Sequence, residues 1–448
     1  MAKDTSLCPD PTYKNDHEEE TKAGGTIYPD TEEPTRAYTI EPSRQTKEDE
    51  KGGNKRIRNL EAKTAWSWAY MCIEARANTA FSPFVLPEVA RPAGSQTHMP
   101  TANGADSPAT AAAESPSTGS PDPVSKSTPS FMRLDTDGGA QSMGQISRYA
   151  AKIMRRQFLA YCFTIFVCRK YARFMRWDRA GLVVSEPFDF IQQPQLLHQF
   201  FYRFACMTDV QRGCDPTVQP ATTEEIRRMR TLADFDTDWH KAQFLGSIEE
   251  GPVVKISVPA IDMITRDELE RGRKDEQTGS SSTPVLPREF LVGKPHFMSN
   301  SPTGSGTKGF IAYDITEHRL VFLKDCWRPD AETYHPEGEI YLHLHSHKVN
   351  YIATPIAAGD VADNDGGIHT TRADKFLGTP RWKHYRIILE EFAMPLEEYI
   401  DSYDLVDVLY CAVRGLSTAP PLAMFTHSSY SASAGVGGGC VAQRCQCL

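Results

Sequence analysis

The chain has 448 residues, and its 49 Lys and Arg against 58 Asp and Glu give a formal net charge of −9. This balance excludes a protein that is basic along its whole length, and the length predicts about three domains, or two with tails. Hydrophobic residues make up 40% of the chain. Because globular domains reach about 45–50% counted with Gly, part of this chain is expected to stay unfolded.

The sequence carries no signal for secretion or membrane insertion. The N-terminus has no basic segment followed by an apolar run. The longest apolar run, residues 158–168, is far shorter than the ~20 residues that span a bilayer. The 11 cysteines lie scattered without C-x-x-C pairs, which predicts free thiols and neither a disulfide framework nor a zinc site. We expect a soluble intracellular protein, cytoplasmic or nuclear.

Residues 1–140 are predicted to be mostly disordered and of low complexity. Residues 1–57 are polar and charged, and residues 92–130 consist almost wholly of Pro, Ala, Ser, Thr, Gly and Asn. Neither stretch can bury enough apolar area to offset its backbone entropy. Between them, residues 59–78 carry Leu60, Trp66 and Met71 without Pro or Gly. This pattern predicts one helix that docks on a later domain.

The composition changes at residue 142, and mixed helices and strands follow. The apolar spacing predicts a basic α/β domain over residues 141–245 and an α+β protein as a whole. Asp and Gly in residues 178–181 favour a hairpin turn. The predicted helices are 145–156, 196–208 and 223–232, and the predicted strands are 157–168, 171–177, 182–185, 253–258 and 289–292.

The segment 303–313 contains a glycine pattern that suits phosphate binding. Gly304, Gly306 and Gly309 have G-x-G-x-x-G spacing, which lets backbone N–H groups approach phosphates closely. The dinucleotide version of this motif opens a helix. Residues 310–313 read as a strand instead, which argues against a Rossmann turn.

Two later segments extend this pattern. A predicted strand over 319–324 ends in Lys324, and a predicted helix over 337–344 begins with Glu337 in an E-x-x-I pattern. In protein kinases such a Glu pairs with the strand Lys and holds it on the nucleotide's α/β-phosphates. A predicted strand over 384–392 ends in Glu390, Glu391 and Phe392. Its end looks like a kinase hinge, whose backbone groups would hold adenine.

Taken together, the sequence resembles the fungal-type protein kinase family over residues 142–415. The resemblance implies a protein-kinase-like small lobe with hinge over 246–415, ATP and Mg²⁺ as ligands, and ATP-dependent phosphorylation of protein Ser/Thr. It is carried by four motifs: R-W-D-R-A-G at 176–181, R-G-C-D-P-T-V at 212–218, L-K-D-C-W-R at 323–328 and G-D-V at 359–361. It implies a nucleotide-binding role for Gly304, Gly306, Gly309, Lys324, Glu337, Glu390, Glu391 and Phe392.

The catalytic half of a kinase is missing from this sequence. A kinase needs a catalytic-loop Asp, an Asn for metal and a D-F-G Asp for Mg²⁺, and none is found here. The predicted helix 404–413 should lead into the catalytic loop, but 416–448 is a low-complexity tail with one charged side chain, Arg444. We expect no catalytic residue and no metal ligand, a chain truncated or frame-shifted before the catalytic loop, and a pseudokinase with negligible transferase activity.

A non-catalytic scaffold or a nucleic-acid binder is the competing class. Residues 148–179 interleave aromatic residues with nine cations against one acid, Asp178, which is the composition of a nucleic-acid groove. Internal charge pairing explains the same composition and is favoured. The cations are Arg148, Lys152, Arg155, Arg156, Arg169, Lys170, Arg173, Arg176 and Arg179.

Three weaker patterns favour structural explanations. His343, His345 and His347 alternate, but a helix aligns only two of them, fewer than a metal site needs. The acidic segment 360–365 lacks calcium-hand spacing. The end Cys445-Gln446-Cys447-Leu448 fits C-a-a-X only loosely. Without a large lobe, the apolar face of helix 404–413 is expected to be exposed and to promote association.

Overall fold

The computed structural model describes residues 1–8, 10, 22–40, 61–87, 131–249, 251–274 and 286–418. The strands are β1 (Ala2–Cys8), β2 (Gly25–Ile27), β3 (Glu61–Lys63), β4 (Met71–Arg76), β5 (Tyr161–Cys168), β6 (Tyr171–Asp178), β7 (Gly181–Val184), β8 (Phe188–Asp189), β9 (Val218–Pro220), β10 (Val254–Val258), β11 (Arg288–Val292), β12 (Phe297–Met298), β13 (Lys308–Asp314), β14 (Leu320–Pro329), β15 (Pro355–Asp360) and β16 (Trp382–Leu389). The α-helices are α1 (Glu32–Tyr38), α2 (Asp137–Arg156), α3 (Pro194–Cys206), α4 (Thr223–Leu232), α5 (Asp238–Glu249), α6 (Arg266–Arg271), α7 (Glu337–Ser346), α8 (Asp374–Leu377) and α9 (Ser402–Thr418).

The first sheet has the strand order β3-β1-β2-β4-β5-β6-β7, with β8 beside β6. Strands β4 and β5 run parallel, and helix α2 lies between them in the chain. The buried face of α2 carries Ile146, Tyr149 and Ile153, at the three- and four-residue spacing of an amphipathic helix. These residues share a core with Trp66 and Trp177. Helix α2 therefore covers the sheet and closes its core.

Part of the predicted N-terminal disorder is wrong. The described residues 1–8 and 22–40 form β1, β2 and α1. The single helix predicted over 59–78 is also wrong, because the chain there forms β3, a 3-10 turn at Trp66–Trp68 and β4. A short apolar run is compatible with a helix or a strand. Here the pairing of β4 with the distant β5 makes the run a strand. Residues 41–60 and 88–130 lie outside the described residues.

The second sheet has the order β15-β16-β14-β13-β11-β10-β9, with β12 beside β13. Its neighbouring strands are antiparallel, and Gly309 of β13 faces Lys324 of β14. One face holds Phe290, Phe310 and Leu323. The other face packs against helices α4 and α5, whose Met229 and Phe244 are almost completely buried. Helix α7, which lies between β14 and β15 in the chain, sits at the β15 end.

Most of the predicted elements after residue 142 are confirmed, with shifted ends. Helix α2 begins at Asp137, eight residues before its predicted start. The prediction started late because Gly138 and Gly139 weaken the helical pattern in the sequence. The Thr136 side chain caps it by accepting a hydrogen bond from Gly139 N. A Cβ on Gly139 would lie 2.0 Å from Arg133 O, so the turn requires glycine there. Among the described residues, no helix is long and apolar enough to cross a membrane.

Candidate functional site

Strand β14 and helix α7 bring Lys324 and Glu337 together. Lys324 Nζ lies 2.6 Å from Glu337 Oε2 in a largely buried ion pair. Glu337 is the first residue of α7, and the next residue, Gly338, donates from its N–H to Tyr385 Oη at 2.8 Å. A Cβ on Gly338 would lie 2.4 Å from Ala358 Cβ. The lack of a side chain at Gly338 therefore lets α7 approach the sheet closely, and this approach places Glu337 beside Lys324.

The glycine-rich segment forms the tip of the β12–β13 hairpin. Gly304 has φ +79° and Gly306 has φ +50°, a backbone region that favours glycine. Gly309 lies inside β13, where a Cβ would approach Phe297 Cε1 to 2.2 Å. Gly304 and Gly306 therefore allow the backbone conformation of the turn, and Gly309 allows the hairpin to pack closely against Phe297.

The space beside Gly306 is filled by Arg179 from the β6–β7 turn. Arg179 Nη1 donates to Ser301 O and Pro302 O at 3.2 Å each, and Gly304 N donates to Arg179 O at 2.9 Å. A Cβ on Gly306 would lie 2.1 Å from Arg179 Cζ. Burial lowers the pKa of Arg179 to about 10, although Asp325 opposes the shift. The loop therefore encloses a guanidinium from the first sheet.

The predicted hinge residues are bound by the chain itself. Glu390 forms an ion pair with Arg319, and its N–H donates to Thr354 O at 2.8 Å. The Glu391 carboxylate accepts from Thr354 N at 2.7 Å and Thr354 Oγ1 at 2.8 Å. These contacts fix the end of β16 against the segment that precedes β15, so neither carboxylate is directed at a cleft.

The Phe392 side chain and carbonyl are covered by the start of α5. The ring of Phe392 is 7% exposed and stacks on Trp239 with centroids 5.1 Å apart. His240 Nε2 donates to Phe392 O at 2.7 Å. Sequence reasoning missed both partners, since α5 lies about 150 residues before the hinge and no local motif links them.

A buried ionic cluster joins β14 and β16 to the segment that precedes β9. Arg386 of β16 donates from Nη2 to Asp215 Oδ2 at 2.5 Å and from Nε to Asp325 Oδ2 at 2.8 Å. His384 Nε2 also donates to Asp325 Oδ2, at 2.9 Å. Burial alone would raise the pKa of Asp215, but Arg386 and His384 hold it below its usual range. Burial would also raise the pKa of Asp325, but the same two residues lower it.

The other signature motifs also make contacts between elements. Asp178 of R-W-D-R-A-G accepts from the backbone N–H groups of Arg372 and Ala373, both at 2.9 Å. Arg328 of L-K-D-C-W-R binds Asp360 of G-D-V with two hydrogen bonds, at 2.8 and 2.7 Å. Residues far apart in sequence therefore fix the first sheet, β14 and β15 relative to each other.

One protein-family model matches the middle of the chain, which includes two of these motifs. Residues 131–256 fit the family model described as fungal protein kinase. The match covers 126 of the 448 residues of the chain. The match includes the motifs at 176–181 and 212–218, and it ends before the glycine-rich hairpin. No curated protein matches the chain, and no solved structure does.

Among the described residues, one cluster brings three potential metal-ligating side chains together, but it does not fit the Mg²⁺ that kinases use. Asp215, Asp325 and His384 place their ligand atoms within 4.8 Å of one another. However, Arg386 already binds both carboxylates. Mg²⁺ requires octahedral oxygen ligands and retained waters, and a buried guanidinium between the carboxylates excludes that geometry. The cluster is therefore a structural ion-pair network.

The basic segment 148–179 is directed inward at several positions. Arg173 lies over the Phe84 ring at 4.9 Å and donates to Ser185 O at 2.7 Å. Arg176 lies over the Tyr161 ring at 4.1 Å and pairs with Asp178 at 2.7 Å. Lys152 and Arg156 are each 8% exposed. This burial gives no support to a nucleic-acid groove.

The weaker patterns have structural partners. His345 Nε2 contacts Ala353 O at 3.0 Å, and His347 Nδ1 contacts His343 O at 2.9 Å, so the three histidines do not converge. Asp363 Oδ1 accepts from the N–H groups of Asp365 and Gly367, as a turn requires. The C-a-a-X pattern at 445–448 lies outside the described residues.

Proposed function

We propose that this chain is a fungal-type protein kinase homologue that binds ATP through its second sheet. The observation that carries the proposal is the 2.6 Å contact between Lys324 and Glu337, with Gly309 of the glycine-rich hairpin opposite Lys324. In kinases this pair positions a lysine on the α/β-phosphates, beneath a glycine-rich loop. The residues Gly304, Gly306, Gly309, Lys324 and Glu337 would form the phosphate side, and Glu390, Glu391 and Phe392 the adenine side.

The nominal family reaction is ATP-dependent phosphorylation of protein Ser/Thr, and we propose that this chain performs it negligibly. Phosphoryl transfer depends on positioning and charge neutralisation. The sequence has no catalytic-loop Asp and no D-F-G Asp, and the buried Asp215–Asp325 cluster is already bound by Arg386. Lys324 would hold the phosphates of ATP, whereas Arg386 already occupies the Asp215–Asp325–His384 cluster that the described residues offer to a metal. Robust γ-phosphate transfer that is lost in Lys324→Met would overturn this proposal.

Thermal unfolding with and without ATP tests the nucleotide site. We expect ATP to raise the melting temperature, because a ligand at a hundredfold excess over its Kd adds about 2.7 kcal/mol to folding stability. The rise should be equal in excess Mg²⁺ and in excess EDTA, and Lys324→Met should abolish it.

Lys255→Met is the matched control for this experiment. Lys255 also lies in the second sheet, on β10 and away from the hairpin tip, and its Nζ pairs with Glu225 of α4 at 2.8 Å. This variant should keep the full ATP response. No response in the wild-type protein at saturating ATP, or one that survives Lys324→Met, contradicts the proposed site.

A further inference from the structure

We propose that the first turn of α5 is a latch that closes the hinge against adenine. The latch consists of Thr237, Trp239 and His240, and the proposal rests on the proposed function, because it concerns access to the same nucleotide site. It assigns a regulatory role to residues 237–240, which lie inside the family match at 131–256.

The latch contacts Phe392 in two ways. A carbonyl oxygen can only accept, so His240 Nε2 carries a proton and donates to Phe392 O at 2.7 Å. His240 Nδ1 lies 2.8 Å from Thr237 Oγ1, and this contact orients the ring. Trp239 stacks on the Phe392 ring, and its Nε1 donates to Glu398 Oε2 at 2.7 Å. The latch therefore bridges the segment that follows β16.

Adenine and the latch compete for the same surface. A hinge holds adenine by backbone hydrogen bonds with the base lying flat beside it. Around Phe392, rings already lie at 5.1 Å from Trp239, 5.4 Å from His240, 5.5 Å from His296 and 6.2 Å from Phe322. Their packing fills the space beside Phe392 that a planar base would need. The base can enter only after Trp239 and His240 move away.

The latch can open without unfolding α5. The later part of the helix is anchored by Phe244 and Ile248, which are 1% and 5% exposed. In contrast, Thr237 is exposed, Trp239 and His240 are half-buried, and Asp234, Asp236 and Asp238 beside them are exposed. The latch is held by hydrogen bonds and ring stacking at the surface, so local opening is the low-cost motion of this region.

Titration with ATP, followed by calorimetry, tests the latch. The double variant Trp239→Ala/His240→Ala should bind ATP at least tenfold more tightly than the wild-type protein, because closure reduces apparent affinity by the fraction of molecules that are open. Lys241→Ala is the matched control, since Lys241 is exposed on the same helix, and it should bind as the wild-type protein does.

The outcomes separate the latch from the nucleotide site. Equal, measurable affinity in the wild-type protein and the double variant overturns the latch and leaves the proposed function intact. No binding by either overturns both. If the double variant does not fold, hydrogen exchange of the wild-type protein decides: saturating ATP should accelerate exchange of the amides of residues 237–240, and unchanged or slower exchange overturns the latch.

Discussion

At the scale of single residues, the chain uses buried charge mainly to hold its parts together. Arg386 binds Asp215 and Asp325, and Lys324 binds Glu337. Removing one partner from a buried pair typically costs 3–5 kcal/mol, because a desolvated charge stays behind. Lys324 and Asp325 of the L-K-D-C-W-R motif thus lie on opposite faces of β14: Lys324 faces the proposed nucleotide site, and Asp325 faces the buried cluster with Arg386 and His384.

Asp262 is a titratable residue that opposes folding at neutral pH. Burial raises the pKa of its carboxyl to about 6, Lys274 opposes the shift, and Asp360 adds to it. Between the unfolded value near 4 and about pH 6, the native state binds more protons, so stability falls as pH rises through this window. The penalty is complete above pH 6 and absent below pH 4.

Asp262→Asn should therefore stabilise the protein above pH 6, by about 1–2 kcal/mol after allowance for solvent screening. Urea denaturation at pH 7.5 and pH 4 measures the difference. The gain should disappear at the lower pH. A gain of equal size at both values would show that the carboxylate charge is not its cause.

At the scale of elements, the glycine-rich hairpin depends on packing as much as on backbone freedom. Gly304 and Gly306 both have positive φ, but a Cβ on Gly304 meets nothing within 4 Å, whereas one on Gly306 collides with Arg179. The left-handed conformation alone costs roughly 1–2 kcal/mol for a non-glycine residue. The two positions therefore separate backbone strain from loss of the Arg179 contact.

Gly306→Ala should destabilise the protein by more than Gly304→Ala, by at least about 1 kcal/mol, because it must also displace a buried guanidinium. Equilibrium urea unfolding of both variants gives the comparison, and hydrogen exchange of residues 299–307 locates the change. If the two substitutions have the same cost, the Arg179 contact does not hold the loop.

The elements after residue 142 could be predicted from sequence because their apolar patterns are local. The strand 319–324 and the helix that starts at Glu337 are examples, and the pairing of Lys324 with Glu337 was expected from the resemblance to protein kinases. The β4 strand could not be predicted, because its partner β5 lies about 90 residues away. The occupants of the loop and hinge, Arg179 and Trp239, were missed for the same reason.

At the scale of the whole molecule, helix α9 presents an apolar face to solvent. Tyr403, Val406, Tyr410 and Val413 are 78%, 64%, 55% and 64% exposed, at the spacing of one helical face. Contiguous apolar surface of this kind favours association in water. We predict that a second copy of the chain covers this face.

We expect the purified protein to self-associate with rising concentration. The double substitution Val406→Glu/Val413→Glu should shift it towards the monomer, because two carboxylates oppose burial of that face. Light scattering across a concentration series measures the mass. A wild-type protein that stays monomeric throughout would contradict the prediction, and Lys375→Glu, at an exposed site on α8, controls for the added charge.

The sequence by itself determined the family resemblance, the local helices and strands after residue 142, and the Lys324–Glu337 pairing. Short-range periodicity and motif spacing carry that information because they reflect neighbouring residues. Only the tertiary structure decided what surrounds those residues. Arg179 fills the glycine-rich loop and His240 binds the Phe392 carbonyl, and these contacts join residues more than 100 positions apart, beyond the reach of local patterns.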